Sequence, residues 1–241
     1  MHKYLIAMCA ALLFACAAQD PVRGTYPTEP LREDVLTEEQ QDALTPYEVI
    51  ELLREGNQRF VRNELTLRDH SAMVRQSTDA QYPKAIVLSC VDSRVPVEDV
   101  FDRGIGDVFV ARVAGNFINE DILGSMEFAC GVAGSKLVLV MGHEHCGAVK
   151  AAIQGVEVGN ITGMLSKIQP AVDTARADYR GDASADNPEF VHEVCEQNVI
   201  GAMAAIRSGS SMLAELEQAG DIRIVGAVYD MDTGVVSFLD L

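Results

Sequence analysis

Two unbroken apolar runs, Ala85-Ile86-Val87-Leu88-Ser89 and Leu137-Val138-Leu139-Val140-Met141, constrain this chain more than any other feature. Neither alternates between apolar and polar as a half-solvated strand does, and each is too short for a helix. Such a run is expected to be a strand covered on both faces, the habit of parallel sheets. A third β-rich stretch, Val108 to Val113, lies between them. Ile222 to Tyr229 and Val235 to Leu239 read as two more strands around the turn Asp232-Thr233-Gly234. Helical patterns fill the intervals at Val97 to Phe101, Glu120 to Ala133, Ala148 to Ile153, Glu189 to Ile206 and Ser211 to Ala219. The expected fold class is α/β, with a mostly parallel central β-sheet flanked by helices.

The folded domain is expected over residues 45–241. Thr45-Pro46-Tyr47-Glu48 has a capping residue, a proline at the first helical position and a glutamate at the third. The helix it opens should run to about Asn63 and bury Val49, Leu52, Leu53, Phe60 and Val61. The polar stretch 173–188 reads as a surface loop. Residues 16–44, with Pro21, Pro27, Pro30 and the acidic run from Thr37 to Asp42, read as a tether and an N-terminal arm or weak helix. Residues 1–15 read as a signal peptide. Lys3 precedes a twelve-residue apolar core, Tyr4 to Ala15, that is too short to span a bilayer. The expectation is an exported protein of the bacterial periplasm. A formal net charge of −17 makes nucleic acid an unsuitable partner, because phosphate binding needs clustered Lys and Arg.

Six cysteines are present. Cys9 and Cys16 fall in the export region, and Cys130 and Cys195 fall in helical patterns, where small core residues are expected. Cys90 and Cys146 sit in two chemically dense segments. One is Ser89-Cys90-Val91-Asp92-Ser93-Arg94-Val95-Pro96, and the other is Gly142-His143-Glu144-His145-Cys146-Gly147. Each follows a buried strand, and ligands of open α/β sheets gather beyond the carboxyl ends of strands. Two thiols and an imidazole suit zinc, and a three-residue site leaves a fourth position for water. Taken alone, a Cys and a His fifty residues apart are more often unrelated than joined by a metal.

These segments resemble the paired signatures Cys-x-Asp-x-Arg and His-x-x-Cys of the β-class carbonic anhydrases. The similarity extends through Asp107 to Asn116 and, more faintly, over Gly56 to Phe60 and Tyr229 to Gly234, covering most of residues 46–241. The resemblance implies one zinc ion per chain on Cys90, His143 and Cys146, and reversible hydration of carbon dioxide to bicarbonate and a proton by a zinc-bound hydroxide. It implies that Asp92 and Arg94 are the catalytic pair. It implies substrate contacts from Gln81, Phe109, Ala114 and Gly147, the first three after the plant-like branch. Phe128 stands where that branch often has tyrosine, so one pocket hydroxyl is lost. Glu144 and His145 do not match ligand positions and are expected beside the site or at the surface. His70 and His192 are expected to be ordinary surface or helix residues.

Two thiolates place more negative charge on the metal than imidazoles do, so a less acidic zinc-water and activity favoured by alkaline pH are expected. In the family Asp92 can also take the fourth zinc position in a closed state, coupled in some members to a bicarbonate pocket containing Trp. This chain has no Trp, and a site that stays open is expected. Leu13-Phe14-Ala15-Cys16 is similar to a bacterial lipobox, which implies lipidation of Cys16 and a membrane tether; simple cleavage after Ala17 or Ala18 is the alternative. A homodimer or dimer-based oligomer is implied. The rival readings are a related zinc lyase or hydrolase acting on another small linear molecule such as carbon disulfide, and a non-catalytic zinc-binding protein.

Overall fold

The computed structural model describes residues 31–239. The signal peptide, Cys16 and the tether up to residue 30 lie outside the described residues. The strands are β1 (Ala85–Ser89), β2 (Val108–Arg112), β3 (Leu137–His143), β4 (Arg223–Tyr229) and β5 (Val236–Leu239). The helices are α1 (Glu38–Asp42), α2 (Pro46–Val61), α3 (His70–Gln76), α4 (Val97–Val100), α5 (Glu120–Glu127), α6 (Gly147–Gln154), α7 (Gly159–Leu165), α8 (Gln169–Asp178), α9 (Pro188–Gly209) and α10 (Ser211–Ala219). The sheet order is β2-β1-β3-β4-β5. The first four strands run parallel, and β5 returns antiparallel to β4 after the turn at 230–235. The α/β architecture with a mostly parallel sheet is therefore the one expected.

The apolar runs split by parity, as a doubly covered sheet requires. Val87, Leu137, Leu139 and Val225 pack with Val49, Ile50 and Leu53 of α2 and Val97 and Val100 of α4. Ile86, Leu88, Val138, Val140 and Ile224 face the other way, onto Val199 and Ile206 of α9 and Leu213 of α10. A third apolar cluster joins α6, α8 and α9 at one end of the sheet and contains Cys90 and Cys146.

Three local expectations need correction. The buried stripe of α2 is Val49, Ile50, Leu53, Gly56 and Asn57; Leu52 and Phe60 are half-buried and Val61 is exposed. Gly56 sets that rotation. A Cβ there would lie 1.9 Å from the Phe101 carbonyl oxygen, so the helix backbone is pressed onto that turn. Residues 173–188 are not all loop, since α8 runs to Asp178 and buries Ala171, Val172 and Ala175. The helix expected over Glu120 to Ala133 changes after Glu127 into a π-helical turn, Phe128–Val132. Within the N-terminal arm, α1 carries a full capping box from Thr37 and Gln40. Its Gln41 is buried and donates to the carbonyls of Pro83 (2.7 Å) and Ala133 (2.9 Å). Cys130 and Cys195 are buried free thiols.

Candidate metal centre

From β1 the chain moves to β2 on one flank, then passes back to β3 on the other. The carboxyl ends of β1 and β3 thus form a topological switch point, where the helices and loops that follow diverge and leave a crevice. Cys90 is the first residue beyond β1, His143 is the last of β3, and Cys146 caps α6. The turn between His143 and Cys146 carries His145 at φ +54°. One ligand atom from each of Cys90, His143 and Cys146 lies within 4.8 Å of the others, and all three residues are buried.

The imidazole is already oriented. His143 Nδ1 lies 2.8 Å from the Glu144 carbonyl oxygen, which can only accept, so Nδ1 carries the proton. Met231 Sδ packs 3.2 Å from the same nitrogen. Nε2 is left with a lone pair, fully buried and without a hydrogen-bond partner. A buried polar atom is normally satisfied, and a divalent metal among these donors would satisfy this one. A His nitrogen and two sulfurs form the donor set that zinc prefers.

The two thiols form one coupled unit. The hydrogen bond from Cys146 outweighs burial and holds the Cys90 thiol well below its ordinary range, with further help from the Gly115 amide. The same bond and burial push the Cys146 thiol up. Zinc binds thiolates, so a metal on this pair would displace whatever protons the two sulfurs carry. Gly115 N–H approaches Cys90 Sγ at 3.4 Å. Gly115 has φ +81°, and a Cβ there would lie 2.4 Å from Ile168 Cδ1, so both conformation and space require glycine.

Asp92 and Arg94 lie on the turn after Cys90. Arg94 Nε donates to Asp92 Oδ1 at 2.9 Å and Nη2 to Oδ2 at 2.8 Å, and the Arg94 backbone N–H adds a bond of 3.0 Å to Oδ1. These bonds hold the Asp92 carboxyl well below the usual carboxylate range. Asp92 Oδ2 lies 3.9 Å from His143 Nε2.

A carbonic anhydrase family profile matches residues 85–236. Carbonic anhydrase 2 of Mycobacterium tuberculosis is 35% identical over 188 residues, covering 76% of this chain and 87% of that protein. The chain belongs to the carbonic anhydrase family. Its activity is the reversible hydration of carbon dioxide to bicarbonate and a proton. The β-carbonic anhydrase CafA of Aspergillus fumigatus has the same fold, with a TM-score of 0.65 at 24% identity over 80% of this chain and 90% of that one. A tetrameric β-carbonic anhydrase of Sordaria macrospora matches with a TM-score of 0.65 at 19% identity, over 81% of this chain and 96% of that one.

In this carbonic anhydrase the remaining candidate residues are scattered. Ala114 is half-buried beside Gly115, and Gly147 is exposed at the start of α6. Phe109 lies on β2 with its ring 6.1 Å from that of Phe128, in an edge-to-face contact. Gln81 is exposed in a recess with Ser77, Asp79, Ile105 and Gly106. That recess adjoins the amino end of β2, whereas the ligands lie beyond the carboxyl ends of β1 and β3. Glu144 turns its carboxylate to His192 of α9, which also meets Glu196 at 3.2 Å. His192 is a part-exposed residue of α9, as expected, and its imidazole also reaches the loop that carries Glu144. His145 lies 3.5 Å from Asp232.

Three residues of the corner escaped sequence reasoning. Arg112 donates to carbonyls of the Cys90–Val95 turn. Asn198, buried on α9, donates to the Gly115 carbonyl at 2.8 Å. Met231 packs on the ligand imidazole. Each acts on backbone or ring edge from a distant segment, and the only available signal was the polar Asn198 on the apolar face of a helix.

Proposed function

We propose that carbon dioxide is hydrated at the corner formed by Cys90, His143 and Cys146, which together would hold one zinc ion per chain. The unpartnered, buried Nε2 of His143 between two coupled thiols carries this reading. Zinc would supply there what carbon dioxide lacks in neutral water, an ionised water molecule as nucleophile. Asp92, kept anionic by Arg94, accepts a hydrogen bond from the attacking oxygen and so directs a lone pair at carbon. With both carboxylate oxygens engaged by Arg94, Asp92 would orient the nucleophile rather than take its proton. Ala114 and Gly147 leave an uncrowded approach, since a Cβ added to Gly147 would meet nothing within 4 Å.

Stopped-flow hydration of carbon dioxide, with zinc measured in the same sample, tests this. Turnover proportional to zinc content is expected. A zinc-loaded protein that leaves carbon dioxide untouched, or turns over carbon disulfide in preference, overturns it.

The edge strand β2 supports the proposed homodimer. Its residues Val108 to Ala111 are only half-buried, although a parallel strand needs cover on both faces. Phe128 (52% exposed) and Val132 (73% exposed) lie on the π-helical turn, with Phe128 packed against Phe109 of that strand. Light scattering that returns the mass of one chain contradicts the dimer. Export to the periplasm, with Cys16 as a lipid anchor, is proposed from the N-terminal sequence. A mature N-terminus that retains residues 1–15, read by mass spectrometry, contradicts export.

A further inference from the structure

We infer that Arg112 is a positioning residue for the reaction, acting through the backbone of the turn that carries Asp92. The inference rests on the functional reading above. In the parallel register Arg112 stands opposite Ser89, one residue before the ligand Cys90. Its side chain therefore reaches beyond the end of the β1–β2 ladder. There Nε donates to the Cys90 carbonyl at 2.8 Å, and Nη2 donates to those of Asp92 (2.7 Å) and Val95 (2.9 Å).

The choice of partners is telling. Arg112 is exposed, and such an arginine ordinarily spends its donors on water or a carboxylate. This one curls six residues of chain around its guanidinium. Beyond Ser89 no sheet ladder holds the turn. Its own backbone–backbone bond is Val95 N–H to the Asp92 carbonyl at 3.1 Å. The Asp92 carbonyl thus receives two donors while its carboxylate receives three from Arg94. Arg112 fixes the peptide from below, and Arg94 fixes the side chain from above. With the peptide fixed, the carboxylate stays on Arg94. With the peptide free, a rotation about Asp92 carries Oδ2 across the 3.9 Å that separates it from His143 Nε2. The planar fork that spans three carbonyls cannot be reproduced by a single ammonium.

The test uses the zinc-loaded full chain with two variants, Arg112→Lys and Arg112→Ala. Turnover is expressed per bound zinc, so that lost metal or lost fold does not count as lost chemistry. Arg112→Ala is expected to lower kcat on the order of 10- to 100-fold, with zinc content kept near the parent's. Arg112→Lys, which can meet one or two carbonyls, should recover part of that loss. KM should change less than kcat in both, because the nucleophile's orientation and not substrate binding is affected. A crystal structure of either zinc-loaded variant should show Asp92 displaced from its two-point pair with Arg94. A parent-like kcat per zinc in both variants overturns the inference, as does an undisturbed Asp92–Arg94 pair in the crystal. Should Arg112→Ala fail to fold, Arg112→Lys decides alone by the same two readings. If the parent itself hydrates no carbon dioxide, the functional reading fails, and the crystallographic comparison still decides the role of Arg112.

Discussion

Asp92 and Asp102 are both aspartates bound to arginine, ten residues apart in the chain, and they are built for opposite purposes. Asp92 pairs with a neighbour two residues away whose side chain is 56% exposed. Asp102 is wholly buried and gathers partners from more than thirty residues away. Its Oδ1 accepts from Thr66 N–H (3.0 Å) and Arg68 Nη1 (2.7 Å), and Oδ2 accepts from Arg59 Nε (2.6 Å) and Thr66 Oγ1 (2.7 Å). Arg68 Nη2 also takes the Asp102 carbonyl at 2.6 Å. Losing one partner barely changes this aspartate's surroundings, because three residues from two segments hold it at once. The Asp92 carboxylate has a single arginine, which is itself largely exposed. A group that must answer a reacting oxygen needs a partner that restrains without enclosing, whereas a group that ties α2 and the extended segment after it to the sheet needs enclosure.

The comparison breaks if the two aspartates respond alike to loss of charge. Asp102→Asn should have the largest effect. Asn tolerates the positive φ of +48° found at Asp102, so the change tests charge and not backbone. Leaving Arg59 and Arg68 beside a neutral amide should cost about 3–5 kcal/mol of stability, read by urea unfolding, while kcat per folded, zinc-loaded molecule stays within about twofold. Asp92→Asn should do the reverse. Hydration turnover should fall roughly 100-fold, about 2.7 kcal/mol of barrier, and stability should move by less than about 1 kcal/mol, as for an exposed local pair. An Asp92→Asn protein that unfolds as readily as Asp102→Asn, or that keeps parental turnover, removes the distinction.

The same contrast separates what the chain's letters reveal from what they conceal. β1 and β3 were legible because strands covered on both faces need unbroken apolar runs, and the cluster of Cys90, His143 and Cys146 was legible because Cys90-x-Asp92-x-Arg94 and His143-x-x-Cys146 follow those runs directly. Asp92 and Arg94 share one motif, so a local reading finds both. Asp102 and its partners have no local signature. Arg59 lies on α2 and Thr66 and Arg68 on the chain after it, and only folding brings them to one carboxylate. Arg112 was hidden for a related reason, because its partners are backbone carbonyls, which every residue possesses. The end of α8, residues 173–178, reads as loop because Ala175 is the one side chain it buries. The π-helical turn at Phe128–Val132 repeats no period that a sequence pattern can register.

Acid sharpens the comparison with the smallest effect of the series. Burial pushes the Asp102 carboxyl up, but hydrogen bonds from Arg59, Thr66 and Arg68 outweigh it and leave the group at about 2, against an ordinary 3.8. A depressed carboxyl adds stability that is complete above the unfolded value and is lost as pH falls through the folded one. The contribution of Asp102 should therefore shrink between about pH 4 and about pH 2. Protons that compete with zinc for thiolates would also destabilise a zinc-loaded protein in acid, and that loss is common to parent and variant. The quantity to measure is thus the stability gap between parent and Asp102→Asn. It should narrow by about 1 kcal/mol on going from roughly pH 5 to roughly pH 3. Asp92 is held down as well, but by an arginine whose side chain is 56% exposed, so solvent screening should keep the gap between parent and Asp92→Asn small over the same interval. A gap for Asp102→Asn that stays constant through the acid range would mean that the buried carboxylate contributes through shape and hydrogen bonding alone, and that enclosure of its charge is not what distinguishes it from Asp92.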